Sequence, residues 1–305
     1  MEIGLGIDAQ RLALSDEDQR SVASEAVRLG YTSLWTPAAG PAKREFELCG
    51  LWHEASGLAT GISVVPLSRW TIDEIAEQTR LARERTRDSF TLGIGAGAER
   101  HAPIRMMREA VAALRDRLDG APIFLGALGP QMLDLAGARY DGAALNWSSP
   151  EQVVWSRERV AAAARRAGRD ADGVRIHEYI RVCVDQDEAA ARRALALMML
   201  SYAMARPGAD PMSGYRGHFA RMGFGPVLEE CEALRARGGS EEALAAHVPD
   251  ELLRQVGYWG KPAGARDAFA RLARGLDVAV VRVLAATRND VEGVRLAMRA
   301  CAPHP

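Results

Sequence analysis

The sequence predicts a single (β/α)8 barrel, the α/β fold in which eight parallel strands alternate with helices. Short β-rich runs alternate with longer helical segments along nearly the whole chain, which is the main sign of this fold. The 305 residues suit one such barrel. No linker-like or low-complexity segment divides the chain, so we expect one domain over residues 1–305.

Eight segments are short, rich in β-branched or small residues, and bounded by turn or capping residues. The predicted strands are 2–7, 32–36, 60–66, 89–95, 122–125, 142–146, 175–184 and 278–284.

Helix starts are marked by capping patterns. Ser15 to Asp18 and Thr71 to Glu74 have the form of capping boxes, and Ser149 precedes a proline at a first helical position.

Between the seventh and eighth strands, the segment of about residues 188–257 is too long for one crossover helix. We expect a helical insertion there that covers the catalytic face of the barrel.

Composition excludes several classes of function. The formal net charge of −1 gives no support for nucleic acid or an anionic membrane as a partner. No apolar run is long enough for a transmembrane helix, and the N-terminus lacks the features of a secretory signal. Four scattered cysteines without CxxC spacing indicate reduced thiols, so we expect a cytoplasmic protein.

The strongest candidate site lies between the fifth strand and the next helix. Active sites of such barrels lie where strands run into the following helices. Unpaired N–H groups at a helix start can hold a phosphate, and glycine lets the backbone approach it. The alternative is a tight turn that binds nothing. The residues concerned are Ala127, Leu128, Gly129, Pro130 and Gln131.

A second candidate is the glycine run Gly93 to Gly97 at the end of the fourth strand. Small residues there leave room for a flat ring system, although they also suit a filled barrel interior. His101 follows this run, either as a ligand contact or as an ordinary surface histidine. His177 and Glu178, in the seventh strand, either point into the barrel mouth or form a structural polar pair.

Tryptophans follow or end three strands, and we expect them to line a pocket for a planar ligand: Trp35, Trp70 and Trp147. Asn146, beside Trp147, is a further candidate at a strand end. The sequence has no HExxH motif, no close Cys/His cluster and no GxSxG elbow, so we expect no metal site and disfavour a metal-dependent hydrolase.

Together these segments resemble the luciferase-like monooxygenase superfamily, and most closely its branch of coenzyme F420-dependent oxidoreductases. The similar segments follow in order over nearly the whole chain: 29–35, 92–97, 126–130, 135–137, 141–142, 145–147 and 167–170.

The resemblance implies a bacterial luciferase-like barrel that holds a deazaflavin at its C-terminal mouth and transfers a hydride to or from a small organic substrate. It implies a non-proline cis peptide at Ser63–Val64 that supports the cofactor ring, and a homodimer. It places the phosphate loop on residues 127–130, with Gly95, Ala96 and Gly97 as further cofactor contacts.

This sequence departs from the family at several places, two of which concern acidic or proton-transferring side chains. Thr36 to Ala39 stands where many relatives have an acidic residue and a histidine. Ala98 stands where sugar-phosphate dehydrogenases of the branch have a glutamate, which argues against a sugar phosphate as substrate. Glu99 and His101 are the nearest replacements for proton transfer.

Two further functions compete with an F420-dependent oxidoreductase. One is an FMN-dependent luciferase-like monooxygenase, in which the reduced flavin reacts with oxygen. The other is a non-catalytic flavin-binding barrel, whose hallmark would be tight binding with no accessible space beside the ring.

Overall fold

The strands of the protein lie close to their predicted positions. The structure is a computed structural model that describes residues 1–8, 11–12, 14–38, 43–97, 102–205, 210–287 and 289–304. Its strands are β1 (Glu2–Gly6), β2 (Ser33–Thr36), β3 (Ala59–Pro66), β4 (Phe90–Gly95), β5 (Ile123–Gly126), β6 (Gly142–Asn146), β7 (Arg175–Val184), β8 (Gly257–Gly260) and β9 (Val278–Val283).

Helices follow the strands. Those that alternate with the first seven strands are α1 (Asp16–Arg28), α2 (Arg44–Ser56), α3 (Ile72–Arg85), α4 (Pro103–Arg115), α5 (Pro130–Arg139) and α6 (Pro150–Arg166). Those after β7 are α7 (Glu188–Ala203), α8 (Gly214–Arg221), α9 (Gly225–Ala236), α10 (Glu241–His247), α11 (Asp250–Val256), α12 (Ala265–Leu272) and α13 (Val291–Ala300).

All strand pairs within the described residues are parallel, and they close a ring. β1 to β7 pair in sequence order, and β9 lies between β7 and β1. The predicted (β/α)8 barrel is therefore confirmed.

The sequence analysis did not anticipate β8. β7 has ten residues, and only its first part pairs with β6. Its last four residues extend past β6 and pair with β8, from Arg181–Gly257 to Val184–Gly260. Two of the four residues of β8 are glycines, so the segment has no alternating pattern that would predict a strand.

The predicted capping boxes are confirmed. Ser15 Oγ accepts a hydrogen bond from the Asp18 N–H at 3.1 Å, and Thr71 Oγ1 accepts one from the Glu74 N–H at 3.2 Å. In both cases the carboxylate accepts a bond from the N–H of the capping residue. These contacts fix where α1 and α3 begin.

The apolar residues form more than one core. A large cluster joins the outer face of the barrel to its helices, and a second one packs the helices between β7 and β8 around Trp147, Phe219 and Phe224. Inside the barrel, Trp35 fits because β3 has no side chain at Gly61, where a Cβ atom would lie 2.3 Å from the indole ring. No helix of the described chain is long and apolar enough to cross a membrane.

Candidate active site

The end of β3 forms an apolar surface at the barrel mouth. The Ser63–Val64 peptide bond is cis, as the resemblance implies, and the register with β4 shifts between Ile62 and Val65. A Cβ atom at Gly95 would lie 2.8 Å from Val64 Cγ2, and one at Gly126 would lie 3.4 Å from Val64 Cγ1. Glycines on β4 and β5 therefore leave Val64 and the adjacent backbone uncovered.

The chain needs glycine again where β4 ends. Gly97 has a φ of 67°, and a Cβ atom there would lie 2.3 Å from Ser68 Oγ. Ala96 beside it is half-buried. The predicted catalytic residues Glu99 and His101 lie outside the described residues.

The loop from β5 to α5 leaves the N-terminus of α5 uncapped. Gly129 is the N-cap residue in an extended conformation, no side chain caps the helix, and Pro130 follows at its first position. A Cβ atom at Gly129 would meet nothing within 4 Å. The first N–H groups of a helix have no partner within it, so those of Gln131 and Met132 are available to an anion.

An arginine from the insertion lies beside this loop. Arg221, at the end of α8, donates a hydrogen bond from Nη2 to the Leu128 carbonyl at 2.9 Å and is exposed. His218, one turn earlier, contacts the Trp147 carbonyl through Nε2 at 3.0 Å. Burial lowers the pKa of His218 to about 4, so the ring is neutral at pH 7 and holds α8 in place as a hydrogen-bond donor.

Two buried arginines lie farther round the mouth from β5. They are Arg181 on β7 and Arg282 on β9, which are 5% and 7% exposed. Arg282 Nη2 donates to Asp8 Oδ2 at 2.6 Å. Arg181 Nη1 donates to the Tyr179 carbonyl at 3.1 Å and to Asn146 Oδ1. Both guanidinium groups are therefore held by hydrogen bonds within the protein.

His177 and Glu178 do not form a polar pair, because neighbouring residues of a strand point to opposite faces. The His177 ring lies inside the barrel, 4.4 Å from the centre of the Trp35 ring. Glu178 Oε1 accepts a bond from the Ser148 N–H at 2.6 Å. Burial lowers the pKa of His177 to about 3 and raises that of Glu178 to about 8, so both side chains favour their neutral forms.

A cavity of about 530 Å³ opens over the ends of β1, β7 and β9, and α7 forms one wall. In the closed ring, β5 lies across from β1. The uncapped end of α5 and this cavity are thus on opposite sides of the mouth. A flat ligand held at α5 and lying across the mouth would have its far edge beside the cavity.

The structure does not bring the three tryptophans into one pocket. Trp70 belongs to the large outer core, Trp147 to the core of the insertion, and Trp35 to the barrel interior. All three are buried. Position at a strand end could not distinguish these environments, because it does not tell which face of the sheet a side chain occupies.

The sequence analysis missed three arginines of the site: Arg181, Arg221 and Arg282. A signal existed for Arg282, because a charged residue within a run of valines cannot be accounted for by apolar packing. Arg221 had no comparable signal, since its place beside Leu128 depends on the tertiary packing of α8. Among the described residues, no three potential metal ligands lie together.

The sequence profile of the luciferase-like monooxygenase family matches residues 100–278, more than half of the chain. The protein belongs to this family, which confirms the resemblance and, at the level of class, the expectation of an oxidoreductase.

Similar proteins include a 5,10-methylenetetrahydromethanopterin reductase of Methanolobus tindarius, 25% identical over 86% of this chain and 78% of that protein. The coenzyme F420-dependent tetrahydromethanopterin reductase of Methanopyrus kandleri has a similar structure, with a TM-score of 0.77, 16% identity and coverage of 99% and 98%. An F420-dependent secondary alcohol dehydrogenase has a TM-score of 0.70, 15% identity and coverage of 99% and 98%. At these identities, the two structures establish the fold.

Proposed function

We propose that this protein is an F420-dependent oxidoreductase that transfers a hydride to or from a small organic substrate at the barrel mouth. The observation that carries the proposal is the uncapped N-terminus of α5, with Arg221 beside it, facing the cavity across the mouth. The names of the similar reductase and dehydrogenase structures support F420 as the cofactor. A bound deazaflavin supplies the hydride chemistry at its ring.

The described residues fit such a cofactor. The N–H groups of Gln131 and Met132 bind its phosphate together with the Arg221 guanidinium, because a helix N-terminus and a cation both favour an anion. Val64 and the uncovered glycine backbone of β4 and β5 give the ring a flat apolar support. The cavity holds the substrate beside the ring and so fixes their relative orientation.

In this proposal, three of the residues predicted as cofactor contacts act by positioning neighbouring groups: Trp35, Asn146 and Trp147. Asn146 accepts a hydrogen bond from Arg181, and the Trp147 ring lies 4.2 Å from the Arg181 guanidinium. Trp35 fills the barrel below the mouth, where its Nε1 donates to Ser33 Oγ at 2.8 Å. These side chains position the binding groups.

We propose His101 and Glu99 for proton transfer. The His101→Ala variant should slow turnover while the affinity for the cofactor stays within about twofold of the wild type, as expected for a group that moves only a proton. Unchanged turnover would remove His101 from the mechanism.

Titration of the protein with F420 and, separately, with FMN tests the choice of cofactor. We expect tight binding of F420 and weak binding of FMN by fluorescence titration. The reverse result would favour the FMN-dependent monooxygenase. Tight F420 binding without turnover of any substrate would favour the non-catalytic barrel, against which the cavity argues.

Two variants at one position test the phosphate loop. Gly129→Ser and Gly129→Asp can both cap α5, since the N-cap conformation is extended and the space is open. The aspartate also places a negative charge where the phosphate would bind. We expect Gly129→Asp to bind F420 about tenfold or more weakly than Gly129→Ser. Equal affinities would refute a phosphate at this loop.

A further inference from the structure

The cavity at the barrel mouth contains a buried cationic group with unused hydrogen-bonding capacity. Arg282 and Asp8 line the cavity and pair through Arg282 Nη2. Arg282 Nη1 is also buried, and it has no hydrogen-bond acceptor among the residues that the structure describes. A buried charged donor without an acceptor is costly, so this N–H is suited to an acceptor on a ligand.

Arg181 forms the second cationic part of the same cavity. Its guanidinium lies 4.2 Å from the centre of the Trp147 ring and 5.5 Å from that of Tyr202. Stacking on two rings and the bonds to Asn146 and Tyr179 fix its orientation before any ligand binds. A guanidinium held in this way loses little freedom on binding an anion.

The charges of the cavity favour an anion with a single charge. The two buried arginines carry two positive charges, and Asp8 offsets one of them. Arg11, whose Nε lies 3.7 Å from Asp8 Oδ2, and Glu241 add one charge of each sign to the lining. Among the lining residues that the structure describes, one positive charge remains in excess, and a dianion would meet the Asp8 carboxylate.

The rest of the wall is mostly apolar. An anion bound at the arginines would have its attached body against this wall, where an aliphatic or aromatic group replaces water. The apolar lining residues include Leu12, Ala194, Leu197, Met198, Leu284 and Ala285.

We propose that this cavity binds a carboxylate joined to an apolar body, and that the substrate of the enzyme is such a carboxylic acid. The role of the acid as the substrate rests on the proposed function. Its binding in the cavity does not depend on that function. The carboxylate accepts hydrogen bonds from Arg282 Nη1 and from Arg181, and the apolar body extends along α7.

Calorimetric titration with pairs of probes tests this site directly. The probes are benzoate, 3-phenylpropanoate and 5-phenylpentanoate, each compared with its uncharged primary amide, and inorganic phosphate. We expect at least one acid to bind about tenfold or more tightly than its amide and than phosphate. Equal binding of acid and amide, tighter binding of phosphate, or no binding of any acid would overturn the proposal.

Variants locate the binding. Arg282→Met alone would remove this partner of the Asp8 carboxylate and could destabilise the fold. The double variant Asp8→Asn/Arg282→Met removes both charges together and is therefore the better test. It should lose the preference for the acid and bind the amide as the wild type does. Arg117→Met, which removes an exposed arginine paired with Asp73 at 2.9 Å, is the matched control and should keep the preference. Loss of the preference in the control would overturn the proposal.

F420 titration of the same proteins separates the two proposals. If F420 binds but no acid is preferred, only the carboxylate site fails. If an acid is preferred but F420 does not bind, only the proposed function fails.

Discussion

Replacement of Gly137 by alanine tests the close packing of α5 on α6, on which the position of the proposed phosphate loop depends. A Cβ atom at Gly137 would lie 2.2 Å from the Val160 carbonyl oxygen and 2.9 Å from the Ala163 Cβ. Ordinary carbon–oxygen contacts are about 3.3 Å or longer, so the two helices would have to separate by about 1 Å.

Two opposing effects set the size of the change. Alanine favours a helix over glycine by about 1 kcal/mol. Overpacking costs about 1–3 kcal/mol or more. The Val160 carbonyl oxygen is a backbone atom, so it cannot move away as easily as the end of a side chain. Arg159 of α6 also bonds Asp134 of α5 at 2.7 Å, and Arg169, just after α6, bonds the Gly137 carbonyl at 2.6 Å. We expect a net loss of about 1–2 kcal/mol in the free energy of unfolding.

Urea unfolding followed by circular dichroism measures this loss. Gly225→Ala in α9 is the matched control, because the nearest atom to its new methyl group would be Ala220 Cβ at 4.0 Å. Otherwise its new methyl group meets only the ring of the following Pro226, which disfavours the helical conformation at the residue before it, so this variant should lose less stability than Gly137→Ala. If Gly137→Ala behaves in the same way, the close contact between α5 and α6 does not exist.

Three further predictions concern other parts of the molecule. Because burial raises the pKa of Glu178 to about 8, the folded state holds more protons than the unfolded state between the usual glutamate pKa and 8, and stability falls as pH rises through that range. His177 and His218, whose pKa values are lowered, contribute a slope of the opposite sign that is the same in both proteins. The fall in urea midpoint between pH 6.5 and 8 should therefore be smaller for Glu178→Gln than for the wild type; an equal fall would contradict this. Arg216→Met removes a buried arginine that bonds Glu232 at 3.0 Å, and it should lower the free energy of unfolding in urea by about 1.5–3 kcal/mol. Arg193→Met, at an exposed ion pair, should lower it by less than about 1 kcal/mol. Equal losses would count against the buried contact. Gly61→Ala should lower the free energy of unfolding in urea by about 1–3 kcal/mol, because its methyl group would contact the Trp35 ring. The loss should be smaller in a Trp35→Leu protein. Additive losses for the two substitutions would show that the two residues do not touch.

The sequence predicted the barrel well, because its strands and helix starts have local causes. The capping patterns at Ser15 and Thr71 and the runs of β-branched residues act over a few positions. β8 was missed because its pairing depends on the free edge of β7, a feature of the tertiary structure.

The candidate site was predicted less completely. The loop around Gly129 was found because a strand, a glycine and a proline in order indicate a helix start. The side of the mouth that contains Arg181 and Arg282 was not found, because these residues lie far apart in the chain and only the closed ring brings them together. The separation of the three tryptophans was not predicted either, because position at a strand end does not tell which face of the sheet a side chain occupies.

β7 connects the barrel to the helices between β7 and β8, and this shared strand has a mechanical consequence. Its first part is held between β6 and β9, while its end carries β8 and the stacked side chain of Arg181. A shift of α7 that moves the Tyr202 ring acts on Arg181 directly, whereas the barrel below stays clamped by its neighbours. The helices between β7 and β8 can therefore change in sequence, and alter the shape of the cavity that α7 lines, without loss of the barrel.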